Sequence, residues 1–189
     1  MKPREIFQIG CQKISEQLMP FGFKSTQKGQ LLKKASNDKK LTFEIYFQSS
    51  MRNWSGSVSL WPHISISSEQ LKKWQKEKYN SDKEDGTIFS TRLENLTPLK
   101  NKNYDWNVAL NNQDNIIPKL IDLIKTYVFP VFEKFENIEQ AIAEICEYGL
   151  KLNEHFDTKH KNLPIDFLCF FGNPNLAQKA FDNYLKEQK

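Results

Sequence analysis

Leu41-Thr42-Phe43-Glu44-Ile45-Tyr46-Phe47-Gln48 is the stretch on which the fold turns. Leu41, Phe43, Ile45 and Phe47 alternate with Thr42, Glu44, Tyr46 and Gln48 at a strict period of two, the repeat of a strand that buries only one of its faces. A helix would spread these apolar residues around its circumference, so the segment 40–50 reads as a strand. The stretch 56–66 repeats the pattern. Val58, Leu60, Ile64 and Ile66 share one face, while Ser57, Ser59, Trp61, His63 and Ser65 share the other. Pro62, in the middle of it, has no N–H for a ladder and argues for an edge strand, a bulge or a break.

The same patterning extends in both directions. Upstream, Phe7, Cys11, Ile14 and Leu18 form one helical stripe that Pro20 and Gly22 end. A lysine-rich strand or hairpin through Leu31 and Leu32 follows, with Asn37-Asp38 as its turn. Downstream, Ser67 or Ser68 caps a short helix that turns Leu71 and Trp74 inward, and Gln70 offers a capping box to Ser67. Thr87 to Leu93 and Trp106 to Leu110 add further strands. After residue 111 the period becomes helical. Ile117, Leu120, Ile124, Tyr127 and Val131 keep a three-four spacing that Pro130 should kink or split. Asn137 caps a helix stopped by Gly149, Pro164 to Phe171 fits either helix or strand by pattern with a short helical hairpin favoured, and Asn173-Pro174 opens the last helix. The fold class is therefore α+β: a mostly antiparallel sheet of about four to six strands, an N-terminal helix and a C-terminal helical half. One domain is expected over 1–189, with helix and sheet in 1–111 and helices in 112–189.

Composition narrows the function classes. Aromatic residues make up 13% of the chain, with 14 Phe and 4 Trp, so rings should fill much of the core. The net charge of +4 is carried almost wholly by lysine, because Arg4, Arg52 and Arg92 are the only arginines. Lys28, Lys33, Lys34, Lys39 and Lys40, and Lys72, Lys73, Lys76 and Lys78, could trace a phosphate backbone. Interleaved Asp38, Glu69 and Glu77 favour a solvated surface, so nucleic acid is expected to bind weakly at best. The most apolar stretch, Ile116 to Phe132, is interrupted by Pro118, Lys119, Asp122, Lys125 and Pro130 and reads as a core helix, not a membrane span. The start Met1-Lys2-Pro3-Arg4-Glu5 lacks a secretory pattern, and a cytoplasmic location is expected. Cys11, Cys146 and Cys169 are widely separated and read as small buried hydrophobes. His155 and His160 are five apart, which does not align two ligands on one helix face, so that segment reads as solvated and no metal or cofactor is expected. Nucleophile-elbow, phosphate-loop, dinucleotide and zinc-protease motifs are absent from the sequence.

The candidate site lies on the polar side of the two alternating strands. Tyr46, Gln48, Trp61 and His63 stand there, and the connecting run Ser49-Ser50-Met51-Arg52-Asn53-Trp54-Ser55-Gly56 adds Arg52, Asn53 and Trp54. Tryptophan and arginine dominate interface energetics, and a loop on a rigid hairpin is a common place for recognition. If helices cover both sheet faces, Trp61 is core; if they cover one, this is a contact surface. The expectation is a non-enzymatic binding or interaction module, with another protein as partner. The alternatives are an enzyme using a pocket around His63 with Glu44 or Tyr46, and a weak nucleic-acid binder through the lysine-rich segments.

Gly22-Phe23-Lys24, Phe43 to Ser50 followed by Asn53, and Ile64-Ser65-Ile66-Ser67-Ser68 leading to Leu71 and Trp74 resemble a bacterial family, the domain of unknown function 4304 family. The resemblance covers the first 75 residues well and the helical remainder in outline. It implies an α+β domain with no assigned activity, hence no catalytic residue to carry over. Small orphan domains of this kind are similar in style to toxin-immunity proteins, which points to an immunity-type or regulatory role by analogy.

Overall fold

β3 (Thr42–Ser49) and β4 (Ser59–Ser67) pair antiparallel, in a register that opposes Phe43 to Ile66, Ile45 to Ile64 and Phe47 to Pro62. Every one of these side chains is sealed from solvent. A buried side chain of this size contributes about 1.5–3 kcal/mol over its exposed state, so the apolar row fixes the register against a one-residue slip. The computed structural model describes residues 1–100, 102 and 104–187.

The rest of the sheet grows from this pair. β1 (Lys24–Thr26) and β2 (Leu31–Ala35) extend it on the β3 side, while β5 (Thr87–Arg92) and the short β6 (Trp106–Asn107) both pair with β4. All six strands are antiparallel, in the order β1-β2-β3-β4-β5 with β6 on β4. β4 is thus a central strand and not the edge that Pro62 suggested. The Phe47 N–H donates to the Gln30 carbonyl on the β2 side. The Phe47–Pro62 pair therefore exchanges no hydrogen bond, and the backbone of Pro62 faces away from β3. On that side Leu60 pairs with Trp106 of β6 and His63 with Arg92 of β5, so Pro62 lies opposite the break between two neighbouring strands. No ladder bond is lost there. A register shift at Ile66/Ser67 lets Ile88 and Phe89 both turn inward on β5.

The apolar face carries the helices. α1 (Pro3–Leu18) buries Phe7, Cys11, Ile14 and Leu18 as the stripe requires. α2 (Glu69–Tyr79) is capped by Ser68, whose hydroxyl accepts the Leu71 N–H; Ser67 forms no capping box. The long helical stripe is split in two, into α3 (Gln113–Leu123) and α4 (Phe129–Glu136), joined by a wide π turn over Ile124–Val128. Pro130 offers no N–H to the carbonyl four residues back, and the wide turn absorbs that loss. α5 (Ile138–Tyr148) is capped by Asn137 and ended by Gly149. α6 (Ile165–Phe167) runs into a π turn over Leu168–Gly172, and α7 (Pro174–Glu187) closes the fold.

Rings knit sheet to helices, as the aromatic content implied. Phe43 stacks on Phe132 at 4.8 Å, and Phe89, Phe135, Phe167 and Phe171 form a chain with centroid spacings of 5.7, 6.0 and 5.5 Å. One cluster of buried side chains runs from Ile6 of α1 to Ala180 of α7. Cys11 and Cys146 are buried, but Cys169 is only half-buried within the π turn, where Leu168 takes the inner position. His160 departs further from the solvated reading. The chain crosses the backbone of Gly149 at Lys159 and His160, and the Leu150 N–H donates to the Lys159 carbonyl, which drives the ring inside. Among the described residues no helix is long and apolar enough to cross a membrane.

Phe43→Ala should lower stability by about 3–5 kcal/mol in a urea melt, through lost transfer energy and a cavity against Phe132. Lys33→Ala, on the opposite face, should stay within about 0.5 kcal/mol. A Phe43 variant as stable as the wild type would remove the one-sided core.

Candidate functional site

Strand register writes the polar face out in rows. Lys33, Glu44, Ser65 and Ser90 form one row across β2 to β5, and Leu31, Tyr46, His63 and Arg92 form the next. Gln48 and Trp61 make a third row, and Ser59 with Asn107 a fourth. None of these side chains is sealed, and Tyr46 and Gln48 are exposed. The open alternative for this face is therefore the one the fold adopts.

Local contacts hold the rows in place. His63 Nε2 lies 2.8 Å from Gln48 Oε1, diagonally across β3 and β4, and the Tyr46 and His63 rings are 6.3 Å apart. The Tyr46 hydroxyl accepts from Gln30 Nε2 at 3.1 Å, and Gln30 in turn accepts from Arg4 at 3.3 Å. Lys33 and Glu44 form an ion pair at 2.5 Å. Burial draws the His63 imidazole below its ordinary range, the Arg92 charge adds to this, and the Glu94 charge opposes it.

At the break between β5 and β6 the face dips into a cleft of about 520 Å³ lined by Ser59, Trp61, Arg92, Glu94, Asn95, Lys102, Tyr104 and Asp105. The Arg92 guanidinium carbon lies 5.7 Å from the Trp61 ring centroid. Arg92 Nε is 3.3 Å from Glu94 Oε2, and Nη2 donates to Oε1 at 3.4 Å. Glu94 is buried, and its Oε1 also accepts the Trp106 indole N–H at 3.1 Å. Tyr104 packs on Trp106 at 4.5 Å. Of the sequence candidates only Trp61 lines this cleft. His63, Tyr46 and Glu44 do not, so the convergence on which an enzyme reading around His63 depends is not formed there.

The connecting loop divides its residues between two roles. Asn53 is a structural clasp: Nδ2 donates to Ser49 Oγ and the Ser59 carbonyl, and Oδ1 accepts the Ser59 N–H at 2.8 Å. Trp54 closes a tight turn with Ser57 by two backbone hydrogen bonds and leaves its ring 62% exposed over Gly56, where a Cβ would collide with it. Arg52 is exposed, with its N–H given to Ser50 Oγ.

Arg92, Glu94 and Tyr104 are the site residues that sequence reading missed. Extending strand parity through Thr87–Arg92 places Arg92 outward, whereas Glu94 and Tyr104 arrive from irregular segments with no period. A second cavity, of about 600 Å³, lies among α4, α5 and 149–160. Its rim charges pair with one another, as in Lys134–Glu144 at 3.5 Å and Lys151–Asp157 at 3.9 Å. No group of His, Cys, Asp and Glu suited to a metal ion occurs among the described residues.

The family model for the domain of unknown function DUF4304 matches residues 14–134, well over half of the chain, and the protein belongs to that family. The match extends past the first 75 residues through α3 and most of α4, so it takes in the whole sheet and the polar face. No curated protein and no solved structure matches the chain.

Denaturant melts of the tryptophan variants grade the surface. Trp54→Ala should fall within about 0.5 kcal/mol of wild type, and Trp106→Ala should cost about 3–5 kcal/mol. Trp61→Ala should lie between them; a cost equal to that of Trp106 would make Trp61 core. His63 has a folded-state pKa below its unfolded value. Its neutral form therefore adds stability above about pH 6.5 that is lost as pH falls below it. His63→Gln should flatten the stability profile in that range, and an unchanged acid limb would contradict the burial of His63.

Proposed function

We propose that the chain is a binding module that docks a partner protein on its polar sheet face and the adjoining Arg52 to Trp54 loop. The observation that carries this reading is the unroofed row of Tyr46, His63 and Arg92 beside Trp61, on a sheet whose other face is buried across β3 and β4. Tyrosine, tryptophan and arginine on a rigid sheet lose little conformational freedom when they are covered, which is what interface anchors require. An immunity-type or regulatory protein is the form of such a module that the family's unassigned activity leaves open, and the cytoplasm is where we place it.

Nucleic acid is the weaker reading. Much of the lysine charge is answered locally: Lys33 by Glu44, Lys40 by Asp38, Lys72 by Glu69, Lys76 by Asp82 and Lys78 by Asp166. A phosphate track needs several uncompensated cations in line.

A protein retained by the wild-type chain and lost by a Tyr46→Ala/Trp61→Ala variant that still melts cooperatively should protect Tyr46, Trp54 and Trp61 from hydroxyl-radical oxidation in the complex. Protection confined to α5 and α7 would move the docking surface to the helical half and contradict the proposal.

A further inference from the structure

Lysine is spread over the whole chain, but arginine is not. Arg4, Arg52 and Arg92 are the only arginines, they come from α1, the β3–β4 loop and β5, and all three lie on the polar face or its rim. Arg92 stands in the row of Tyr46 and His63. Arg4 reaches Gln30 Oε1 at 3.3 Å, and Gln30 Nε2 donates to the Tyr46 hydroxyl at 3.1 Å. Arg52 is exposed in the loop that ends the face. On β1 and β2, Lys24 and Lys33 stand directly opposite one another in the row of Glu44, an arrangement that costs sheet stability when no acid answers it. Against these five cations the face sets two carboxylates, and both are taken, Glu44 by Lys33 and Glu94 by Arg92. Lys102 and Asp105 at the cleft offset one another, and Glu5 beside Arg4 turns back to accept the Lys2 N–H of its own helix. Arg4, Lys24 and Arg52 form no ion pair among the described residues, so the face keeps an excess of three positive charges. The chain as a whole is polarised in the same sense: residues 1–111 hold 18 Lys and Arg against 11 Asp and Glu, whereas 112–189 hold 9 against 12.

We infer that the protein docked on this face presents an acidic surface, whose carboxylates meet Arg4, Lys24 and Arg52 around the rings of Tyr46, Trp54 and Trp61. The inference rests on the docking role proposed for the polar face. A guanidinium is weakly hydrated and matches a carboxylate with a planar fork, which makes the two free arginines apt for contacts that lose water. Opposite potentials on two surfaces steer their encounter and fix their orientation, and the rings between the charges supply the apolar area. Arg92, already answered by Glu94, serves by lying against Trp61 and needs no acid from the partner. A phosphate backbone fits this face less well. Its charges are evenly spaced, and Glu44 and Glu94 stand among the cations and repel it, whereas a folded partner places its acids only where a cation is free.

The test is a titration of the isotope-labelled full chain with polyglutamate, followed at the Tyr46 amide and the Trp54 and Trp61 indole resonances, with oligothymidylate as the comparison probe at the same ionic strength. Polyglutamate should shift all three resonances, and raising the salt from about 50 to about 200 mM should weaken it. An Arg4→Gln/Lys24→Gln/Arg52→Gln variant should bind it about tenfold more weakly, the loss of three exposed ion pairs. A Lys73→Gln/Lys119→Gln/Lys186→Gln variant removes the same charge from exposed positions on α2, α3 and α7 and should bind within about twofold of wild type. Equal losses in the two variants would reduce the effect to net charge and overturn the inference. Oligothymidylate that moves the same resonances at lower concentration would overturn it in favour of a phosphate track, and shifts confined to the helices would overturn it outright. The docking face is decided separately by the oxidation footprint of a retained protein. A footprint on Tyr46, Trp54 and Trp61 that neither salt nor the Arg4/Lys24/Arg52 variant weakens would keep the face and remove the acidic partner.

Discussion

A pleated strand cannot turn two consecutive side chains to the same side, and in β3 and β4 every second side chain is large and apolar. Once Phe43, Ile45 and Phe47 are set against Ile66, Ile64 and Pro62, the partners Glu44, Tyr46, Gln48, Trp61, His63 and Ser65 have no option but the other face. The other elements accommodate this constraint. α1, α3 and α4 supply apolar stripes for the buried side, and Phe132 stacks directly on Phe43. β5 takes a register shift to bring Ile88 and Phe89 inward together. Pro62 is tolerated in a central strand because its backbone points at the break between β5 and β6.

That same break produces the cleft. Where β5 ends, the chain turns into a short 3-10 helix over Leu93–Leu96, which sends Glu94 beneath the sheet's polar rim and leaves Arg92 on top of it. The pairing of a half-exposed arginine with a carboxylate gains little stability by itself, because solvent screens it. Its consequence is orientation: the Trp106 indole fixes Glu94, Glu94 fixes Arg92, and Arg92 lies against Trp61. Core and surface are thereby joined through four residues from three separate segments.

Parity alone made Tyr46, Gln48, Trp61 and His63 legible as neighbours, since a period of two needs no knowledge of the rest of the chain. Register was not legible, and with it went the position of Arg92 opposite His63 and the central place of β4. Asn53 reads as a recognition residue from its place in the connecting loop; its three hydrogen bonds to Ser49 and Ser59 exist only once the hairpin has closed. Glu94 and His160 are buried through contacts with segments distant in sequence, Trp106 for one and the Gly149 crossing for the other. No local pattern encodes such contacts. The helical half was clearer, because Asn137, Gly149 and Asn173-Pro174 act through nearby backbone groups.

The central claim is that β3 and β4 seal one of their faces and leave the other open. Paramagnetic relaxation by a neutral soluble gadolinium chelate measures this in the free protein, one indole at a time. The account predicts strong broadening at Trp54, intermediate broadening at Trp61 and none at Trp106. Trp61 as protected as Trp106 would mean that the polar face is covered, and would contradict the account.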